Sequence, residues 1–310
     1  MNPPDLAALV VALALDLLLG EPPLRVHPVV WMGKLVSLGE RVAPRCARGQ
    51  LLAGFLIVAV TVVLFAGLAA VVLAWAGAVN PWVNLLVAAL FLKPTFAVRE
   101  LFRAAGCVKD DLTSGRLEAA RANLRALVSR ETNLLDGAGV SAATIESVAE
   151  NLNDSFVAPT LYYLVAGVPG AVFYRAVNTC DAMIGYRGRY ECLGKFAARL
   201  DDALNFVPAR LTALLVVLAA MRGGNARAAW RVMRRDHRLT LSPNAGWPMS
   251  AMAGALGVEL AKPGCYLLGS GGRLPDTGDI TAALQVAAAA AGWWILVLLA
   301  AGALRCVLNF

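Results

Sequence analysis

The chain has 310 residues, of which 59% are hydrophobic and 16% are charged, and its mean hydropathy is +0.64. Soluble domains are roughly 45–50% apolar and about 25% charged, so this composition excludes an ordinary soluble protein and predicts an integral membrane protein. The formal net charge of +7 is expected to lie in cytoplasmic loops that face anionic lipid, although it could also attract an anionic substrate. Nucleic acid is not expected as a partner, because no basic stretch is interleaved with exposed aromatic residues.

Six apolar segments predict an all-α membrane protein, with a bundle of about four to six transmembrane helices in a single domain over residues 1–310. The clearest is the uncharged run 51–79, which is long enough to cross a bilayer even when tilted. Segment 156–174 contains Gly167 and Pro169 and is expected to be a broken or re-entrant helix. The candidate spans are 5–20, 51–79, 82–98, 156–174, 206–221 and 286–304.

The distribution of basic residues sets the expected orientation. The positive-inside rule places the three segments richest in lysine and arginine in the cytoplasm; these are 33–49, 99–130 and 222–238. Segments 114–129 and 225–236 have amphipathic patterns, and the second, which is strongly basic, is expected to lie at the membrane surface. The prediction is therefore a multi-pass protein of the cell membrane, with a polar site at the membrane boundary that faces the cytoplasm.

The six cysteines are scattered through the chain and contain no Cys-x-x-Cys pair. They are expected to be small core residues rather than disulfides or metal ligands. Residues 5–20 contain Asp5 and Asp16 and are not preceded by a basic stretch, so no cleavable signal is expected there.

The first polar motif consists of Glu146, Glu150 and Asp154, which are spaced four residues apart and would form one acidic stripe on a helix. A solvated helix face is one interpretation. Against it, no lysine or arginine follows these acids at the spacing of ordinary surface ion pairs. Carboxylates gathered in this way suit Mg²⁺, a hard cation that also takes substrate phosphates.

A second motif places Arg175, Asn178 and Asp181 every three residues, with Tyr186 and Arg187 after them. A cation, an amide and an acid on one helix face suggest binding of anionic and amide groups. The alternative is hydrogen bonding between helices within the membrane.

A third motif consists of Asp201, Asp202 and Asn205, before Pro208 and Arg210. Asp201 and Asn205 should share a helix face. Capping of a following span is the alternative, although these polar groups exceed what a cap needs.

Two loops carry further polar residues. The turn from Ser242 to Pro248 contains Asn244 and Trp247, and His27 follows the sequence Gly-Glu-Pro-Pro at 20–23. His27 could be an acid–base group or a loop residue. The chain contains no generic phosphate-binding loop, dinucleotide fingerprint or nucleophile elbow.

Together these motifs resemble those of the CobD/CbiB family, the membrane-bound adenosylcobinamide-phosphate synthases of cobalamin biosynthesis. The resemblance spans nearly the whole chain. Departures are Glu21, Glu131 and the pair Leu152–Asn153, which could alter acceptance of the amine. The motifs that carry the resemblance are Leu15–Pro23 with His27–Val29, Ser129–Thr132, Ile145–Asn151, Tyr174–Tyr186, Ala198–Asp202, Pro208–Thr212 and Ser242–Pro248.

The resemblance implies an ATP-dependent ligase that joins the propionate carboxylate of adenosylcobyric acid to (R)-1-amino-2-propanol or its phosphate, through an acyl phosphate and with Mg²⁺. The expected catalytic residues are Glu150, Asp154, Asp181 and Asp202, and the expected metal ligands are Glu146, Glu150 and Asp154. The expected substrate-binding residues are His27, Arg130, Arg175, Asn178, Tyr186, Arg187, Asn205, Arg210, Ser242, Asn244 and Trp247.

Other membrane enzymes of cobalamin synthesis are expected as partners, and a homo-oligomer stays open. A membrane transporter or a non-catalytic corrinoid-binding protein is the main alternative, because transporters also show intramembrane charges and broken helices. The chain shows no internal repeat that would favour a transporter.

Overall fold

The computed structural model describes residues 3–186 and 188–308, and this part of the chain is almost entirely helical. A single antiparallel pair, β1 (Leu260–Lys262) and β2 (Tyr266–Leu268), is the only named sheet there. The all-α fold class is therefore confirmed. The helices are α1 Pro3–Leu19, α2 Pro28–Val42, α3 Ala47–Val79, α4 Pro81–Leu92, α5 Val98–Thr113, α6 Leu117–Leu124, α7 Gly137–Leu152, α8 Ala158–Ile184, α9 Lys195–Leu204, α10 Phe206–Ala219, α11 Ala226–Asp236, α12 Gly246–Leu256 and α13 Thr277–Leu308.

Within the described residues, four helical segments are long and apolar enough to cross a membrane. They are Ala47–Val79, Gly137–Ile184, Phe206–Gly223 and Thr277–Arg305. In α3 many large apolar side chains face outward, and Val63 is 71% exposed. Such a surface is costly in water but suits the lipid interior, because burial against lipid removes the same apolar area from water.

Two of the predicted spans form helices that are short for a membrane crossing. The helix predicted over 82–98 is α4, which has 12 residues and gives way to a 3₁₀ turn at Lys93–Thr95. Pro94 contributes to the break, because its ring nitrogen carries no hydrogen and cannot donate the next helical hydrogen bond. The helix predicted over 5–20 is α1, Pro3–Leu19, with 17 residues, so it is about as long as predicted but below the roughly 20 residues that a straight crossing needs.

The predicted break in segment 156–174 is confirmed by the backbone of α8. Ala166 and Gly167 have non-helical dihedral angles, and Gly167 has a φ of 66°. Pro169 lies two residues after Gly167 and cannot donate a backbone hydrogen bond. On the far side of the break, the carbonyl of Leu164 accepts a hydrogen bond from Arg305 Nη1 at 2.6 Å, so a donor from α13 satisfies a carbonyl next to the kink.

The described residues pack as two compact units, and the chain passes from one to the other after Ala97, Val157, Asn205 and Leu296. The first unit contains α1 to α4, α8, α9 and the end of α13. Its core includes Val36, Val58, Val177, Ile184 and Leu193. Nothing in this packing tests the prediction of a single domain, which stays a prediction.

The second unit contains α5, α6, α7, the helices α10 to α12, the β-hairpin and most of α13. Its core includes Ala120, Leu124 and Val140. The apolar face predicted for 114–129 is confirmed, since Leu117, Leu127 and Val128 also pack on this core. The regular helix within it is only Leu117–Leu124.

Helix α11 packs part of its apolar face inside the second unit, and its location at the membrane surface, predicted for 225–236, stays a prediction. Ala229 and Met233 on that face are buried, and α11 packs against α12. At Gly254 of α12, an added Cβ would lie 2.7 Å from the carbonyl oxygen of Ala228 and 2.8 Å from the Cα of Ala229. The absence of a side chain at Gly254 therefore lets the two helices approach closely, and the outer face of α11 carries arginines and Trp230.

Candidate functional site

Helices α8 and α9 of the first unit bring amide groups onto one carboxylate, which we call the Asp201 cluster. Asn178 Nδ2 donates to Asp201 Oδ1 at 3.3 Å, and Asn205 Nδ2 donates to Asp201 Oδ2 at 2.9 Å. The Tyr174 hydroxyl in turn donates to Asn205 Oδ1 at 2.9 Å. The prediction that Asp201 and Asn205 share a helix face is thus confirmed.

The environment of Asp201 makes its carboxyl group unusual. Burial raises the pKa of Asp201 to about 6, the charge of Asp202 acts in the same direction, and the two amide donors oppose the shift. A carboxyl group with a pKa near neutrality can both accept and release a proton under working conditions. Asp201 was not among the predicted catalytic residues, although its spacing from Asn205 was the signal that could have found it.

Of the other residues predicted in this motif, Arg175 contacts the cluster. Arg175 Nη1 donates to Asn178 Oδ1 at 3.3 Å. Asp181 packs against the turn that ends α8, where a Cβ on Gly185 would collide with Asp181 Oδ1. Tyr186 is exposed, and Arg187 lies outside the described residues.

A second group in the first unit, the Lys93 cluster, consists of Asp16, Glu21, His27 and Lys93. Lys93 Nζ lies 2.9 Å from Asp16 Oδ1 and 2.5 Å from Glu21 Oε1, and Lys93 is only 5% exposed. Burial by itself would raise the pKa of Glu21, but hydrogen bonds from His27 and Lys93 outweigh it and hold that pKa below its usual value. The cluster is therefore held as ion pairs, as a buried charge requires.

His27 has a structural position rather than an open binding position. Its Nδ1 accepts a hydrogen bond from the backbone N–H of Val29 at 3.2 Å and so caps α2. Its Nε2 must then carry the ring proton, which it donates to Glu21 Oε2 at 2.7 Å. Because both ring nitrogens are used within the protein, the predicted substrate contact of His27 is not supported.

In the second unit, Glu146 forms a buried ion pair that we call the Glu146 cluster, with Arg130 and Tyr266. Arg130 Nη2 donates to Glu146 Oε2 at 2.7 Å, and Glu146 is only 4% exposed. Tyr266 comes from β2, and its pKa is raised by burial and by the charge of Glu146. A solvated helix face is therefore excluded at Glu146. The sequence pattern gave no signal for Tyr266, because the hairpin is distant from α7 along the chain.

The predicted metal site of three carboxylates does not form in the described part of the chain, where no group of three acidic, histidine or cysteine residues could hold a metal ion. Glu146 is paired with Arg130 instead. Asp154 lies in a π-helical turn, Asn153–Val157, which has more residues per turn than an α-helix. Glu150 and Asp154 are both partly buried, and Mg²⁺ commonly uses only one or two carboxylates together with substrate phosphates. These two residues fit that pattern.

Three further predicted residues of the second unit do come together, in what we call the Arg210 stack. The guanidinium of Arg210 lies 3.6 Å from the ring centre of Phe206 and 4.7 Å from that of Trp247. Arg210 Nη1 also donates to Asn244 Oδ1 at 3.2 Å. Trp247 contacts the ring of His237, with 4.0 Å between ring centroids. The arrangement holds a cation between aromatic faces, which is favourable where water is excluded.

Ser242 contributes to this region through the backbone. Its Oγ accepts hydrogen bonds from the N–H groups of Asn244 and Ala245 at 3.2 and 3.4 Å. These contacts form the turn that leads into α12. Ser242 thus shapes the loop that carries Asn244, and its predicted substrate contact stays a prediction.

The chain has four helices able to cross a membrane. Buried ion pairs and amide–carboxylate contacts lie among its helices. These features define a helical membrane protein with internal polar clusters. The chain belongs to the CobD/CbiB family, because the family model described as CobD/Cbib protein matches residues 9–298.

Several curated proteins are similar to the chain over most of its length. A "Cobalamin biosynthesis protein CobD" of Dehalococcoides mccartyi is 47% identical over 86% of this chain and 88% of its own. A "Probable cobalamin biosynthesis protein CobD" of Thermococcus kodakarensis is 44% identical over 91% and 90%, and the Brucella suis "Cobalamin biosynthesis protein CobD" is 40% identical over 90% and 91%. No solved structure matches the chain.

Proposed function

We propose that this protein is a cobalamin-biosynthesis enzyme, an ATP-dependent ligase that joins the propionate carboxylate of adenosylcobyric acid to (R)-1-amino-2-propanol or its O-phosphate. Family membership and the names of the relatives support the pathway. The observation that carries the chemistry is Asp201, whose pKa is raised to about 6 by burial within one of the family-like motifs. The product would be the amide, adenosylcobinamide or its phosphate.

In the proposed reaction, a carboxylate oxygen of adenosylcobyric acid attacks the γ-phosphorus of ATP, and ADP leaves with the electrons of the broken P–O bond. The amine nitrogen then attacks the acyl carbon, and phosphate leaves with the electrons of the C–O bond. An alkylamine is protonated at neutral pH, since amines of this kind have a pKa of about 10. The ammonium must therefore lose one proton before the attack, for which Asp201 is the proposed acceptor, and the nitrogen loses a second proton to the departing phosphate as the amide forms. Asp202 and Asp181 are proposed to position the amine.

The second unit offers groups that suit phosphate. The Nε of Arg130 is buried and has no hydrogen-bond partner among the described residues. A guanidinium with a spare donor can bind a phosphate oxygen while it keeps its pair with Glu146. Glu150 and Asp154 would hold Mg²⁺, which would neutralise charge on the transferring phosphoryl group. Tyr266, beside Glu146, is proposed to keep the ion pair in place.

Amide-rich parts of the corrinoid suit side-chain amides of this chain. Asn178 and Asn205 in the first unit, and Asn244 in the second, can donate and accept hydrogen bonds. Arg175 is proposed to bind a carboxylate or phosphate. These contacts, and a location on the cytoplasmic side of the cell membrane, are part of the proposal.

The test is a ligation assay on the full-length protein purified in detergent. Adenosylcobyric acid, ATP, Mg²⁺ and either aminopropanol or its phosphate are supplied, and corrinoid products are identified by mass. ADP and inorganic phosphate should appear together with a mass gain equal to the amine minus water. AMP and pyrophosphate as products would overturn the acyl-phosphate route while leaving ligation intact.

Two variants make the assay specific. Asp201→Asn should bind the corrinoid and lose at least about a hundredfold in ligation rate, as removal of a general base usually does. Asp110→Asn, which removes an exposed carboxylate of α5, should retain the wild-type rate. A wild-type rate in Asp201→Asn would contradict the assigned base.

The break in α8 at Ala166 and Gly167 is the one observation that favours a transporter, because broken helices line transport sites. Two results together would favour a transporter over the ligase. The purified protein would bind corrinoid without an ATP-dependent mass gain, and proteoliposomes that contain it would take up corrinoid.

A further inference from the structure

The second unit has an open groove of about 910 Å³ along α13 and the end of α10. Small residues form much of its wall, among them Ala219, Ala289 and Gly292, with Trp293 and Leu296 at one end. Because alanine and glycine fill little space, the two helices leave a channel between them rather than a packed seam.

The groove follows membrane-spanning segments. It begins at the end of the candidate span Phe206–Gly223 and continues from Asp279 to Leu296 within the candidate span Thr277–Arg305. That stretch of α13 is about 25 Å long, which exceeds the roughly 15 Å of one hydrocarbon leaflet. An acyl chain therefore has room to lie along it.

The other end of the groove is polar and basic. Arg222 lines it, is exposed, and forms neither an ion pair nor a hydrogen bond among the described residues. Arg273 also lines it but is held by Asp279 through two hydrogen bonds of 2.6 Å. Arg222 is therefore the cation that is open to an anion at this end.

The chain continues directly into a second basic surface. Arg227, Arg231 and Arg234 lie with Trp230 around a cavity of about 570 Å³ on the outer side of α11. Arginine beside tryptophan is typical of the membrane interface, where the ring lies at headgroup level and the cation meets lipid phosphate. The polar end of the groove and this surface are thus both basic, and their arginines are close together in the sequence.

We propose that the groove binds one anionic phospholipid, with an acyl chain along Ala289, Gly292 and Leu296 and the lipid phosphate at Arg222. The charge decides between lipid and a second copy of this chain, because a second copy would bring the same basic end against Arg222. The site is separate from the polar clusters assigned to the ligase and does not depend on that function.

The experiment is native mass spectrometry of the full-length protein in detergent, titrated with dioleoyl-phosphatidylglycerol, dioleoyl-phosphatidylcholine or glycerol 3-phosphate. The wild-type protein should retain one phosphatidylglycerol molecule, with an affinity about fivefold higher than for phosphatidylcholine, as one arginine near an anionic lipid suggests. Arg222→Gln should remove this preference. Arg238→Gln, an exposed arginine outside the groove, should keep it.

A further variant tests the acyl chain. Ala289→Trp fills the groove and should abolish retention of both lipids. If Ala289→Trp does not fold, Arg222→Gln, which leaves the wall of the groove intact, still tests the proposal. An unchanged preference in Arg222→Gln would overturn the site. Binding of glycerol 3-phosphate as tightly as the lipid would show a free-phosphate site instead, and a dimer that Ala289→Trp dissociates would show a second copy in the groove.

Discussion

Replacing Asp201 by asparagine should remove a pH-dependent loss of stability. Burial raises the pKa of Asp201 from an ordinary 3.8 to about 6. The folded protein therefore binds this proton more tightly than the unfolded chain does. The sign follows from proton linkage: wild-type stability is highest with the proton bound and falls as the pH rises from about 4 to about 6.

The size of the effect follows from the same shift. About two pKa units correspond to about 3 kcal/mol, which is the free energy lost when the buried carboxyl is ionised at pH 8. Asparagine avoids this loss, but its amide meets the amide donors of Asn178 and Asn205. One hydrogen bond should therefore be lost, at about 1 kcal/mol and equally at every pH. Asp201→Asn is expected to be more stable than wild type by about 2 kcal/mol at pH 8 and by less than about 1 kcal/mol at pH 5.

The measurement is SDS-induced unfolding of the purified protein in mixed micelles, followed by tryptophan fluorescence at pH 5 and pH 8. Glu191→Gln, which removes an exposed carboxylate of the same unit, is the control and should show no change of its effect between the two pH values. If Asp201→Asn differs from wild type by the same amount at both pH values, the carboxyl is not raised in the folded state and its assignment as a base loses its support.

Three further changes have distinct expected outcomes. Glu146→Gln should lower the free energy of unfolding by about 3 kcal/mol, because the buried charge of Arg130 loses its partner. A double-mutant cycle with Arg130→Met measures the coupling energy of the pair, and additive effects of the two changes would contradict the ion pair. Gly254→Ala should lower the Tm, because its Cβ meets a backbone oxygen of α11 at 2.7 Å, whereas Gly106→Ala, in open space within α5, should raise it slightly; the same sign for both would refute the packing argument. Tyr266→Phe should leave the unfolding midpoint nearly unchanged but raise the KM for ATP in the ligation assay, and an unchanged KM would remove Tyr266 from the site.

Spacing along one helix predicted contacts that depend on one helix alone. The hydrogen bond between Asn205 and Asp201 follows from four-residue spacing, and the uncharged run 51–79 could be little else than a long apolar helix. Hydropathy predicted too long a helix over 82–98, because an average of side-chain hydrophobicity is insensitive to a proline such as Pro94 that ends a helix. The π-helical turn at Asn153–Val157 was also not predicted, since no rule of spacing or hydropathy places such a turn.

Partners from distant segments could not be predicted in this way. Tyr266 reaches Glu146 from a short hairpin, and Lys93 meets acids near the start of the chain. Periodicity describes which residues of one element share a face, but it contains no information on which two faces meet. The long-range half of each polar cluster therefore depends on tertiary packing.

The Lys93 cluster also bears on the order in which the protein is made. Glu21 precedes Lys93 by 72 residues, and Asp16 lies earlier still, so both acids emerge from the ribosome before the lysine that they neutralise. A buried lysine without a counter-charge is costly by several kcal/mol. In the natural order, α4 reaches its place with its counter-charges already synthesised. A circular permutation that moved α1 and Glu21 behind α4 would reverse this order, so that Lys93 would be synthesised before the acids that neutralise it.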